Sequence, residues 1–174
     1  PVDAVLAEMR AAGVDYPREG EEHTAEETLE HLRNHLDRAV ALGEVGLDGY
    51  WVPEAFWERQ DQVFIELVQL GCAHDKPLIV HSRKREARTL EILLELGPRK
   101  VVWHCYGGKL RLVTRILEAG HYLSIPANVE RSETFQRILT EAPRERLLLE
   151  TDSPYLSPEP GGGRNEPAAV AHTA

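Results

Sequence analysis

The apolar residues of this chain alternate between two spacings. Short continuous apolar runs, which are typical of strands buried on both faces, are separated by segments whose apolar residues recur at helical spacing. The runs predict five strands at Val40–Asp48, Pro77–His81, Lys100–His104, His121–Ile125 and Arg146–Thr151. This alternation predicts an α/β fold in which helices cover a mainly parallel sheet, as one domain over residues 1–174.

Helix boundaries are marked by capping residues and glycines. Thr24 followed by Glu27 matches a capping box, which predicts that a helix begins there. Gly71 and Gly97 are each predicted to end a helix, because glycine readily adopts the left-handed backbone conformation of a C-terminal cap. The remaining helices are predicted at 1–14, in the segment that ends at Gly120, and at 132–141, with a loop at 15–22.

Composition and charge narrow the possible functions. Hydrophobic residues make up 42% of the chain and charged residues 28%, which is typical of globular proteins. The sequence contains neither a transmembrane-length apolar run nor a secretory signal, so we expect a cytoplasmic location and no membrane partner. The net charge of −9 argues against a broad nucleic-acid surface but leaves open a phosphate-bearing substrate, whose charge bound cations would neutralise.

Four polar residues interrupt or end predicted strands. Glu44 interrupts the first strand, and His81, His104 and Asp152 lie at or just beyond the ends of later ones. Taken singly, each histidine is consistent with a hydrogen-bonded core residue, Glu44 with an outward-pointing residue of an edge strand, and Asp152 with the start of a turn before Pro154. Taken together, two imidazoles and two carboxylates at one edge of a parallel sheet predict a divalent-metal site. The ligand types suit zinc, manganese or magnesium and do not choose among them.

The same residues lie in stretches that resemble the TatD family of metal-dependent deoxyribonucleases, within the amidohydrolase superfamily. The matching stretches are Gly43-Glu-Val-Gly-Leu-Asp48, Pro77-Leu-Ile-Val-His-Ser-Arg83, His104-Cys-Tyr-Gly-Gly108, Leu148-Leu-Glu-Thr-Asp-Ser-Pro-Tyr155 and Arg164-Asn-Glu-Pro167. They occur in the family's order from about residue 40 onward. The resemblance implies a TIM-type (β/α) barrel and hydrolysis of DNA phosphodiesters, acting from an end or on single strands.

The resemblance also implies a role for each residue of the site. Two divalent metal ions, Mg, Mn or Zn, would be bound, with Glu44 bridging them and His81 and His104 holding the second. Asp152 would bind the first ion and orient or deprotonate the attacking water, so Glu44 and Asp152 are the predicted catalytic pair.

Substrate contacts are predicted among basic and aromatic residues beside these motifs. Arg83, Lys84 and Arg164 are candidates to hold phosphate, with solvated surface charge as the alternative. Tyr106 is a candidate to stack on a base, and packing against the glycine loop that follows it is the alternative.

The chain also departs from the family pattern. It has no His-x-His motif, which in the family supplies two ligands of the first metal, and its five strands would correspond to the fourth to eighth of the barrel. The last helix is also cut short. A closed barrel typically needs about 250 residues, and this chain has 174. Either the protein is a partial barrel or the sequence omits segments of the protein, and we favour the second hypothesis. A measured mass of 19.6 kDa would contradict omission.

Two other functions remain open from sequence. An amidohydrolase-like enzyme acting on another ester or amide would keep the barrel and change the substrate. A degenerate, non-catalytic barrel would explain the missing His-x-His, although burying four polar groups together brings a scaffold little benefit. No obligate protein partner is expected.

Overall fold

A computed structural model describes residues 2–17 and 22–174. The chain divides into two compact units, Pro1–Lys100 and Val101–Ala174, which we describe one at a time. Parts of the predicted first helix and of the predicted loop at 15–22 lie outside the described residues. The expectation of a single domain stays a prediction.

Over its described residues, the first unit contains four α-helices and two strands. Its helices are α1 (Asp3–Ala11), α2 (Ala25–His35), α3 (Trp57–Ala73) and α4 (Glu86–Leu96), and its strands are β1 (Leu42–Asp48) and β2 (Leu78–Arg83). The predicted capping box is confirmed, because the Thr24 side chain accepts from the Glu27 amide and the Glu27 side chain accepts from the Thr24 amide.

The strands β1 and β2 are parallel, as predicted, and their register is irregular near Glu44. Leu42 pairs with Leu78 and Val45 with Val80, so β1 has one more residue than β2 over this interval. Such a bulge bends a strand and re-aims the side chains within it. Beyond the bulge, Gly46 pairs with His81, which brings the carboxyl end of β1 beside the predicted metal ligand of β2.

Gly71 does not end helix α3, which continues to Ala73. The glycine is buried, and a Cβ atom at this position would lie 2.5 Å from Cδ2 of Leu78. The missing side chain therefore allows α3 to pack closely on β2. Gly97 does end α4, with φ of 66°, as predicted.

The second unit contains two α-helices and three parallel strands. The strands are β3 (Val101–Trp103), β4 (Tyr122–Ile125) and β5 (Leu147–Leu149), and the helices are α5 (Leu110–Glu118) and α6 (Glu133–Glu141). The strand β4 pairs with both β3 and β5. The core of the second unit includes the fully buried Trp103, Ile116 and Leu123.

The leucines of β5 are more exposed than the sequence predicts. We expected Leu147–Leu149 to be buried on both faces, but Leu148 is 42% and Leu149 46% exposed. Within this unit β5 pairs with β4. Leu148 and Leu149 are consecutive and point to opposite faces of the strand, so both faces of β5 are partly exposed. Among the described residues, we find no helix with the length and apolar character needed to span a bilayer.

Candidate metal centre

In the first unit, His81 lies between two carboxylates. Its Nε2 atom is 2.9 Å from Oδ2 of Asp48, and its Nδ1 atom is 3.6 Å from Oε1 of Glu44. Burial opposes a charged imidazole, but the two carboxylates outweigh this effect and raise the pKa of His81 above its ordinary value. A histidine flanked by acidic oxygens is a chemically reasonable metal ligand, since a bound cation would replace the proton.

Asp48 is a member of this cluster to which sequence analysis gave no role. It is 1% exposed, and its Oδ1 atom accepts hydrogen bonds from the amides of Tyr50 and Trp51, at 2.8 and 2.7 Å. Burial raises the pKa of this carboxyl, but the bonds from His81 and the two amides outweigh burial, so the pKa lies below its usual range. Asp48 therefore remains an anion in the core. The signal in the sequence was its position, since it ends the strand that carries Glu44.

In the second unit, His104 is also held between two carboxylates. Its Nδ1 atom contacts Oε2 of Glu150, and its Nε2 atom is 3.1 Å from Oδ1 of Asp152. One donor atom from each of these three residues lies within 4.8 Å of the others, close enough to hold one metal ion. The predicted pair of His104 and Asp152 is therefore brought together, and Glu150 joins it.

Sequence analysis also gave no role to Glu150, although this residue lies in the Leu148–Tyr155 motif. Its Oε1 atom accepts from the Cys105 amide at 2.7 Å and from the Ser124 hydroxyl at 2.6 Å. Its position directly after β5 matches the rule that named the other ligands. The predicted strand Arg146–Thr151 includes Glu150, whereas the observed β5 ends at Leu149.

The loop that carries Asp152 is fixed by backbone and side-chain contacts. Asp152 has φ of 57°, a left-handed conformation that aspartate tolerates better than most residues. The buried Asn165 donates from Nδ2 to the carbonyl oxygens of Thr151 and Tyr155, at 2.7 Å each. Asn165 therefore stabilises the turn on which Asp152 lies.

Two of the predicted phosphate contacts flank an exposed aromatic ring in the first unit. The guanidinium carbon of Arg83 lies 3.9 Å from the centroid of the Tyr50 ring, and Nζ of Lys84 lies 4.7 Å from it. Tyr50 is 47% exposed. Cations and an aromatic face in this arrangement can contact phosphate and a nucleobase together. We refer to Tyr50, Arg83 and Lys84 as the basic platform.

The other two predicted substrate contacts, Tyr106 and Arg164, differ in their exposure to solvent. Tyr106 is 1% exposed, packs edge-on against Trp103 at 5.6 Å and donates from its hydroxyl to the carbonyl of Lys109 at 3.0 Å. Its ring lies in the core, so packing describes it better than base stacking. Arg164 is exposed, as a substrate contact requires.

The donor sets fit divalent metal ions within each unit. Imidazole nitrogens with carboxylate oxygens suit zinc or manganese, and carboxylates with water suit magnesium. The first unit offers Glu44 and His81, and the second offers His104 and Asp152, with Glu150 beside them. That all four predicted ligands serve one pair of metals stays a prediction.

Comparison with known proteins identifies a family. The sequence model for the TatD related DNase family matches residues 9–174. The metal-dependent hydrolase YcfH of Escherichia coli K12 is 41% identical over 143 residues, which cover 78% of this chain and 52% of YcfH. Human deoxyribonuclease TATDN3 is 36% identical over 148 residues, covering 82% of this chain and 53% of TATDN3. The chain thus spans about half the length of these curated relatives.

Solved structures agree with the sequence comparisons. The crystal structure of YJJV, a TatD homologue from Escherichia coli K12, superimposes with a TM-score of 0.75 and 27% identity. The match covers 87% of this chain and 61% of YJJV. This likeness confirms the predicted α/β fold of the TIM-barrel type. With a family model that matches most of the chain and relatives more than 30% identical, the chain belongs to the TatD family of metal-dependent hydrolases.

Proposed function

We propose that this protein hydrolyses phosphodiester bonds in DNA, using two divalent metal ions held by Glu44, His81, His104 and Asp152. The observation that carries the proposal is the cluster of His104, Glu150 and Asp152, whose donor atoms lie within 4.8 Å of one another. Family membership supports the hydrolytic chemistry, and the name of human TATDN3 supports DNA as the substrate class.

Each residue has a defined task in this proposal. His81 and His104 would hold the ions through imidazole nitrogens, and Glu44 would hold them through its carboxylate. Asp152 would bind metal with its carboxylate and would orient or deprotonate the attacking water. Bound divalent ions supply Lewis acidity, which lowers the pKa of water and stabilises charge on a leaving oxygen.

The basic platform is the proposed contact for the nucleic acid. Arg83 and Lys84 would neutralise a backbone phosphate, and the exposed ring of Tyr50 would stack on a base. A base can stack on a side chain only when one of its faces is free, and bases inside a duplex are covered by their neighbours, so the platform favours single strands or frayed ends. Arg164 is retained as a further phosphate contact on the strength of its exposure alone.

The test is cleavage of a fluorescent single-stranded oligodeoxynucleotide in the presence of Mn²⁺. We expect Asp152→Asn and Glu44→Gln each to lower the rate by more than about a hundredfold. Loss of an outer-shell partner of a metal costs up to about a hundredfold, and loss of a direct ligand should cost more. Glu141→Gln is the matched control, since this carboxylate is exposed and pairs with Arg137 on helix α6. Cleavage that survives undiminished in both site variants would eliminate the mechanism.

A non-catalytic protein is the second candidate, because the chain contains no His-x-His motif. Elemental analysis of purified protein separates the two. Bound metal at about one or two equivalents supports the enzyme, whereas no metal and no thermal shift with manganese, zinc or magnesium supports the scaffold. If metal binds but DNA is not cleaved, a panel of ester, amide, lactone and phosphotriester substrates tests the amidohydrolase alternative.

A further inference from the structure

Both candidate metal-binding histidines face one carboxylate from each side. His81 lies between Asp48 and Glu44, and His104 lies between Glu150 and Asp152. A neutral imidazole has one N–H and one lone pair, and an ionised carboxylate can only accept. Which carboxylate receives the N–H therefore decides which nitrogen remains to bind metal.

The two carboxylates around each histidine differ in burial. The Asp48 side chain is 2% exposed, whereas that of Glu44 is 40% exposed. Around His104, the Glu150 side chain is 14% exposed and that of Asp152 is 27% exposed. In each unit, the more exposed member is the predicted metal ligand, and the more buried member is the residue that sequence analysis missed.

The buried carboxylates are also fixed in orientation. Oδ1 of Asp48 accepts from two backbone amides, which leaves Oδ2 directed at Nε2 of His81. Oε1 of Glu150 accepts from the Cys105 amide and the Ser124 hydroxyl, which leaves Oε2 directed at Nδ1 of His104. Backbone amides cannot reverse their role, so each carboxylate holds its second oxygen against the same ring nitrogen.

We infer that Asp48 and Glu150 are positioning residues that fix opposite tautomers of the two histidines. Asp48 holds the proton of His81 on Nε2, so His81 offers Nδ1 to metal on the side of Glu44. Glu150 holds the proton of His104 on Nδ1, so His104 offers Nε2 on the side of Asp152. Loss of such an outer-shell partner typically weakens metal binding by about 10- to 100-fold. The inference rests on the proposed metal site and adds two residues and the ligating atoms to it.

Replacing each carboxylate by the amide of the same shape, in Asp48→Asn and Glu150→Gln, should reverse the tautomer of the neighbouring histidine. In Asp48→Asn, the amide oxygen must stay with the amides of Tyr50 and Trp51, so the NH₂ group faces Nε2 of His81. A donor in that place needs an acceptor nitrogen, which moves the proton of His81 to Nδ1 and removes the lone pair meant for metal. In Glu150→Gln, the oxygen stays with the Cys105 amide, and the proton of His104 moves to Nε2.

Nitrogen NMR of ¹⁵N-histidine-labelled, metal-free protein tests the inference without catalysis. At a pH where the rings are neutral, we expect His81 as the Nε2–H form and His104 as the Nδ1–H form, and each amide variant to reverse its own histidine. Asp37→Asn is the matched control, because Asp37 also lies beside a histidine, 3.9 Å from Nδ1 of His74, but is 96% exposed. It should leave His81 and His104 unchanged.

Metal loading gives a second readout. In protein loaded with ¹¹³Cd²⁺, we expect coupling of the metal to Nδ1 of His81 and to Nε2 of His104. Calorimetric titration with Zn²⁺ should show affinity reduced by about 10- to 100-fold in Asp48→Asn and Glu150→Gln.

Three results would overturn the inference. These are the opposite or an evenly mixed tautomer in the unchanged protein, a variant that keeps the original tautomer, and a reversed tautomer with zinc affinity within about threefold of the unchanged protein. The first needs no variant, so it holds even if a substitution prevents folding. Correct tautomers without nuclease activity would count against the proposed function alone, and nuclease activity with wrong tautomers would count against this inference alone.

Discussion

At the scale of single residues, the site depends on side chains that are absent as well as present. Gly46 has φ of 140° and lies beside His81 across the parallel pair of β1 and β2. A Cβ atom there would collide with the carbonyl oxygen of His81, so only glycine lets the two strands approach at this point. The backbone that carries a predicted metal ligand therefore rests on the absence of a side chain opposite it.

We predict that Gly46→Ala destabilises the protein by about 3 kcal/mol or more, since strained backbone and a steric collision add. Urea denaturation measures this loss. Gly97→Ala is the control, because Gly97 also has positive φ, at 66°, but nothing lies within 4 Å of its would-be Cβ. That control should lose only about 1–2 kcal/mol, the usual cost of a left-handed backbone. Equal losses in the two variants would show that the collision is relieved.

The sequence predicted the ligands of the site better than their supports. His81, His104 and Asp152 were found because each ends or follows an apolar run, and Glu44 because it interrupts one. All four lie in a recognisable motif. Asp48 and Glu150 obey the same rule, but an acid at a strand end has no feature that distinguishes a ligand from a hydrogen-bond acceptor. Their roles depend on amide donors from Tyr50, Trp51 and Cys105, which only the folded backbone positions.

At the scale of elements, local chemistry predicted helix starts well. Helix α2 begins where Thr24 and Glu27 indicated, with both reciprocal hydrogen bonds formed. The predicted end of α3 at Gly71 was wrong, because that glycine serves close packing against Leu78 rather than chain reversal. Gly71 and Gly97 look alike in the sequence, but Gly97 ends helix α4 and Gly71 does not end α3. Tertiary contacts decide which role a glycine takes.

We predict that Thr24→Ala destabilises the protein by about 1 kcal/mol, the usual cost of losing an N-terminal cap. Thr140→Ala is the matched control, because its hydroxyl donates to carbonyl oxygens within helix α6 and caps no helix end. Thermal denaturation should show a lower midpoint for Thr24→Ala and little change for Thr140→Ala. A midpoint unchanged by Thr24→Ala would mean that α2 is held by packing alone.

At the scale of the whole molecule, a negative net charge coexists with a local cluster of positive charge at the proposed nucleic-acid contact. The chain carries a net charge of −9, yet Arg83 and Lys84 gather at one aromatic ring. Alternation of strands and helices was sufficient to predict the fold class, which the likeness to YJJV confirms. Alternation could not predict that Leu148 and Leu149 are exposed, because burial of a strand depends on its neighbours in space.

The central claim is that His104 with Asp152, and His81 with Glu44, bind divalent metal. Anomalous diffraction from crystals grown with Mn²⁺, recorded at the manganese edge, tests it most directly. We predict anomalous peaks within coordination distance of Nε2 of His104 and of Nδ1 of His81, with carboxylate oxygens of Asp152 and Glu44 as further ligands. Clear density for these side chains with no anomalous peak at either cluster would contradict the account.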